Sequence, residues 1–193
     1  MKTILFIVLA MMSCCRPCEP KMFDMGNIPQ EVLDRLPYED NDIMELVHSA
    51  GRVIRFSITH TVEDKEEIVC FDCCNTYLYE EASTSFRPDH PVFDCSMRLN
   101  NMDTIMYFLD ISIGRAYYQV PVSDSTWAYY DRVDSVRIGG RFYHEVYRLG
   151  DQYQFGADGE QEGIIAVDSL YFNFAEGILK ITMTNDEYYQ LAE

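Results

Sequence analysis

From residue 104 to 113 the chain alternates. Ile105, Tyr107, Leu109, Ile111 and Ile113 fall on one side, and Met106, Phe108, Asp110 and Ser112 on the other. A period of two sends successive side chains to opposite faces of a pleated backbone, so the segment predicts a half-buried strand. Residues 52–59 repeat the pattern, with Ile54, Phe56 and Ile58 on the apolar side. Before them the period differs. Ile28, Val32, Leu33 and Leu36 share one face of a helix predicted over 27–36. Asn27 can cap it, Pro29 suits a first turn, and Pro37 ends it.

The last third reads as a meander. Val136-Arg137-Ile138 runs into Gly139-Gly140, a two-residue turn signal, and a strand resumes at Phe142. Asp158-Gly159 marks a loop. Glu176-Gly177 and Asn185-Asp186 divide the remaining apolar segments into three strands, at 164–174, 178–184 and 188–191. Strands joined by closely spaced turns, with little helix, predict a mainly β fold: an antiparallel sandwich or open barrel with a short N-terminal helix.

The first residues follow a different logic. After Lys2, the run from Ile4 to Met12 is unbroken apolar sequence. Nine residues of helix reach about 14 Å, well short of a bilayer core of about 30 Å. The run has the form of a secretory signal rather than a membrane span. It ends in Met11-Met12-Ser13-Cys14, which resembles a bacterial lipobox: an apolar residue, a small residue, then Cys. The expected organisation is a lipoprotein signal peptide over 1–13, a tether over 14–27 containing Pro17, Pro20 and Gly26, and a single β-rich domain over 28–193. Acyl chains on Cys14 would anchor the protein to the membrane, each buried methylene contributing about 0.8 kcal/mol.

Charge narrows the partners. The chain carries 15 Lys and Arg against 32 Asp and Glu, a net of −17. So negative a surface repels phosphate backbones and disfavours nucleic acid as a ligand. It equally disfavours docking of the domain's own surface on anionic lipid.

Two groups of residues carry a family resemblance. The first is Leu36-Pro37-Tyr38-Glu39-Asp40-Asn41-Asp42, followed by His48-Ser49-Ala50-Gly51-Arg52-Val53-Ile54-Arg55-Phe56. The second runs Ile138-Gly139-Gly140-Arg141-Phe142-Tyr143-His144-Glu145-Val146-Tyr147, then Tyr171, Gly177-Ile178-Leu179-Lys180-Ile181 and Tyr189-Gln190-Leu191. Together with the signal, they resemble uncharacterised Bacteroidetes envelope lipoproteins. That group has a Pro-Tyr segment leading to a strand, a Gly turn and a second strand, and ends in a Gly/Tyr hairpin and a closing Leu strand. Asn41 stands where the group often has Gly, and residues 70–131 lie outside the resemblance. It implies a lipid-anchored envelope protein, in the outer membrane and facing either side, and it carries over no catalytic residues.

Candidate chemistry is sparse. Cys70, Cys73, Cys74 and Cys95 remain beyond the signal and tether, and Cys70-Phe71-Asp72-Cys73 has C-x-x-C spacing. Disulfides, a metal site helped by His90, and redox chemistry are the three readings, and an oxidising envelope favours the first. His48, His60, His90 and His144 show no metal-ligand spacing, and His144 reads as a strand-face residue beside Phe142 and Val146. Asp89-His90 with Ser83 or Ser85 lacks the elbow of a hydrolase triad. The acidic runs Glu63-Asp64-Lys65-Glu66-Glu67 and 158–162 read as solvated hairpin loops rather than calcium loops. No nucleotide or cofactor motif is present, so no cofactor is expected. Tyr117, Tyr118, Trp127, Tyr129 and Tyr130 form an aromatic-rich stretch that could bind glycan, peptide or an envelope protein. The leading expectation is a non-catalytic binding or assembly module. The alternatives are a hydrolase acting on envelope glycans or peptides, and a Cys-based metal- or thiol-handling protein.

Overall fold

Of the described residues 66% are strand, and all of these strands belong to one sheet. The computed structural model describes residues 19–70, 74–102, 107–122, 131–150, 153–154 and 166–192. The chain opens with β1 (Met22–Asp24), a single helical turn α1 (Gln30–Leu33), β2 (Ile43–His48) and the long pair β3 (Val53–Cys70) and β4 (Cys74–Pro88). Next come β5 (Cys95–Asn100), β6 (Phe108–Ile113), β7 (Ala116–Pro121), β8 (Asp131–Ile138) and β9 (Arg141–Leu149). The last four are β10 (Tyr153–Gln154), β11 (Val167–Asn173), β12 (Gly177–Met183) and β13 (Tyr188–Leu191).

These strands make one 13-stranded sheet in the order β10-β7-β6-β5-β4-β3-β2-β13-β12-β11-β9-β8, with β1 attached alongside β4. Every pairing is antiparallel except β1 with β4. The sheet curls into a half-barrel. One continuous curled sheet therefore takes the place of a two-layer sandwich. Curling buries the period-two residues on its inner face: Ile54, Phe56, Ile58, Leu109, Ile111 and Ile113 all join the main core.

The turns follow their residues closely. Gly139 has φ 63° in the two-residue turn between β8 and β9. Two bulges adjust the β11–β12 ladder. Asp168 and Leu179 are each the extra residue where the register shifts. A bulge re-aims a side chain, and Leu179 leaves the main core for a second cluster with Ile138, Tyr143 and Val146. Glu145, at φ 52°, breaks alternation in β9, so Val146 and Tyr147 are buried in succession against different clusters.

One expectation is corrected. The helix predicted over 27–36 contracts to the four residues of α1. Its apolar side chains pack onto the sheet individually, and so short a segment gains little from helical hydrogen bonds. Within the segment 14–27, Met22–Asp24 is hydrogen-bonded sheet against β4. No helix among the described residues is long and apolar enough to cross a membrane.

Candidate functional site

A strap and an arm define the surfaces open to a ligand. The strap, residues 25–42, crosses the inner face. Asn101, 2% exposed, clamps its start: Oδ1 accepts the Glu80 N–H at 3.0 Å, and Nδ2 donates to the Met25 and Gly26 carbonyls at 3.2 and 2.7 Å. Ile28 N–H donates to Glu80 Oε2 at 2.8 Å, and Arg35 Nη1 donates to the Val122 carbonyl at 2.6 Å. At the far end Tyr38 lies over Gly177, where any Cβ would overlap the phenol. The Ile178 N–H donates to Tyr38 Oη at 2.8 Å, and Oη donates to Met44 Sδ at 3.3 Å. Burial pushes the Tyr38 phenol well above its usual pKa. Ile28, Tyr38 and the partly buried Val32, Leu33 and Leu36 fill the inner face with core.

The arm is the outer part of the β3–β4 hairpin. β3 alternates between buried and exposed up to Ile58, but residues 61–70 are exposed or half-buried on both faces. Ten strand residues extend about 33 Å. Cys70 and Cys74, directly paired with Cα atoms 4.0 Å apart, close its tip with a disulfide. β1 adds to its β4 side in parallel, stacking Phe23 on Tyr77 with ring centres 5.1 Å apart. Met22 (69% exposed), Ile68 (62%) and Val62 (42%) leave apolar side chains in solvent here. Glu63-Asp64-Lys65-Glu66-Glu67, expected in a hairpin loop, lies instead in the middle of β3. Lys65 Nζ donates to Glu63 Oε2 at 2.7 Å and holds that carboxyl below its usual pKa.

The sequence candidates separate. Cys95 is a buried free thiol in β5 opposite Phe86, twelve strand residues from Cys74 and so about 40 Å from the disulfide. Cys70, Cys74 and Cys95 therefore cannot converge on one ion. Cys73 and Cys14 lie outside the described residues, as does residue range 158–162. Burial raises the Cys95 thiol far above its ordinary pKa, which keeps it protonated and unreactive.

Tyr117 and Tyr118 are neighbours on β7 and so face opposite ways. Tyr118 joins the core, whereas Tyr117 lies on the outer face, where its hydroxyl accepts from Gln119 Nε2 at 2.9 Å. Partial burial and the Asp110 carboxylate raise the Tyr117 pKa. Trp127, Tyr129 and Tyr130 lie outside the described residues.

The histidines are scattered. His48 packs on Tyr189 and reaches Glu187 at 3.7 Å. His60 Nδ1 is 2.9 Å from Thr84 Oγ1, and His90 pairs with Asp89 at 3.0 Å. His144 is exposed on β9. Ser85 sits three residues inside β4 from Pro88, about 10 Å along the strand and away from Asp89-His90. Among the described residues, no three His, Cys, Asp or Glu side chains gather as a metal site.

The arm was missed at the level of sequence because it lacks the usual strand signal. Asp, Glu and Lys are depleted in strands, and a ribbon wet on both faces shows no alternation. Comparison with protein-family models, with curated proteins and with solved structures finds no match.

Proposed function

We propose that this chain is a cell-envelope lipoprotein, anchored through acyl chains on Cys14, whose half-barrel acts as a non-catalytic binding or assembly module at the outer membrane. The observation that carries the reading is the order of Lys2, the apolar run 4–12 and Ser13-Cys14. The fold is compatible with it. β1 begins eight residues after Cys14, so the anchor point lies within about 28 Å of chain from the arm. A strap-filled inner face and an exposed arm suit a protein that offers surfaces rather than a cleft.

Intact mass of the protein from its own membrane fraction, beside a Cys14→Ser variant, tests the anchor. A native form beginning at Cys14 with an added diacyl or triacyl mass, absent from the variant, supports it. An unlipidated, soluble native form overturns it.

A further inference from the structure

Backbone parity along β3 identifies an open edge. Ile58 N–H donates to the Asp42 carbonyl at 2.9 Å and its own carbonyl accepts from Asn41 at 3.1 Å. His60 N–H donates to Asp40 Oδ1 at 3.1 Å. Even-numbered residues of β3 thus turn their N–H and C=O groups away from β4. The same parity makes Val62, Asp64, Glu66 and Ile68 present theirs outward. Among the described residues, β2 pairs with β3 only as far as Ser57, and no strand covers the edge beyond it. Such an edge is a template for an added strand. The arm already takes one on its opposite edge, where β1 lies on β4.

We propose that this edge of β3, over residues 61–69, binds an extended basic segment of a partner protein by strand addition. The side chains beside the outward amides run apolar, acidic, acidic, apolar: Val62, Asp64, Glu66 and Ile68. The opposite face presents Glu63 and Glu67 about Lys65. Directly opposed cross-strand residues interact, and like charges repel. The complement is therefore a strand with Lys or Arg in its central positions and apolar residues near its ends. The same rule disfavours a second copy of this chain, since antiparallel pairing of two such edges opposes carboxylates. The disulfide holds the ribbon's tip closed, which lowers the ordering cost of binding. The proposal rests on the binding-module reading of the domain and is independent of the lipid anchor.

The probe is a nine-residue peptide with Val second and eighth, Lys third, fourth, sixth and seventh, and Thr elsewhere. It is titrated into the full chain in detergent, with and without Cys14→Ser, by fluorescence anisotropy. A version N-methylated on the amides that would face β3 keeps the charge and removes the backbone bonds. The expected result is saturable binding, weakened by salt, with new hydrogen-exchange protection at Val62, Asp64, Glu66 and Ile68. N-methylation should cost at least about tenfold in affinity, and Glu66→Pro should do the same. Proline is tolerated where the lost N–H faces outward from an edge, so that variant keeps the fold. Equal binding of the methylated peptide, or protection elsewhere, overturns the proposal. So does a dimer that the peptide dissociates, which would assign the edge to a second copy. Binding is expected to be the same with or without Cys14, so loss of the anchor reading would appear in the mass spectrum and not here.

Discussion

Adding one methyl group at Gly177 tests how the strap is locked to the sheet. Gly177 has φ 78°, and a Cβ built there would run into the ring and hydroxyl of Tyr38. Two costs follow from Gly177→Ala. A side chain in the left-handed region costs about 1–2 kcal/mol. Forcing a buried ring aside adds a typical overpacking cost of about 1–3 kcal/mol. Their sum, about 3 kcal/mol, is a large fraction of the roughly 10 kcal/mol that holds a domain of this size. Equilibrium urea unfolding followed by far-ultraviolet circular dichroism measures it. A double-mutant cycle with Tyr38→Ala separates the terms. With the ring gone only the backbone cost remains, so Gly177→Ala should cost about 1–3 kcal/mol less in that background. Equal costs in both backgrounds, within about 0.5 kcal/mol, would mean that Tyr38 does not occupy the space above Gly177 and would refute the contact.

Three further outcomes are expected. Asn101→Leu removes partners from the Glu80 amide and from two strap carbonyls, and should lower stability by about 2–4 kcal/mol in the same urea assay. Replacing both Cys70 and Cys74 by Ser releases a short closed loop worth about 2 kcal/mol in the chain-entropy estimate. Hydrogen exchange should accelerate in residues 61–69 while the core strands keep their protection. Finally, Cys95 and Tyr38 have folded pKa values raised by burial, so their stabilisation is complete below their ordinary values of 9.0 and 10.0 and is lost progressively as pH rises above those values toward the raised folded ones. Urea midpoints should be flat up to pH 9 and fall above it, and Cys95→Ala should flatten the slope between pH 9 and 10.

Most of the half-barrel was legible wherever one face of a strand is wet and the other dry. Ile54, Phe56 and Ile58, and likewise Leu109, Ile111 and Ile113, are buried as their period of two requires. The turns at Gly139-Gly140, Glu176-Gly177 and Asn185-Asp186 stand where their residues place them, with Gly139, Gly177 and Asp186 all at positive φ. Legibility fails where tertiary contacts override local pattern. The helical spacing of Ile28, Val32, Leu33 and Leu36 is real, yet most of that segment is irregular strap, because four apolar side chains can reach the sheet without a continuous helix. The single-sheet architecture depends on long-range pairings such as β13 with β2 and β9 with β11, and no local signal encodes these.

The arm shows how one sequence can give opposite readings of the same residues. Glu63-Asp64-Lys65-Glu66-Glu67 is too polar for a core strand, and locally it resembles a loop. Its strand form is imposed from both ends: Ile58 and Phe86 pair in the buried base, and Cys70 and Cys74 pair at the tip. Between these fixed points the register leaves the charged residues little alternative. Their charge in turn protects the open edge they occupy. Carboxylates along an unpaired strand discourage association with another copy, whereas a basic strand meets no such repulsion. An edge that only needed to stay solitary could be shorter or covered by a loop. A long, disulfide-closed, acidic edge with Val62 and Ile68 exposed keeps the geometry for strand addition while disfavouring a second copy, and this is the physical case for the proposed basic partner.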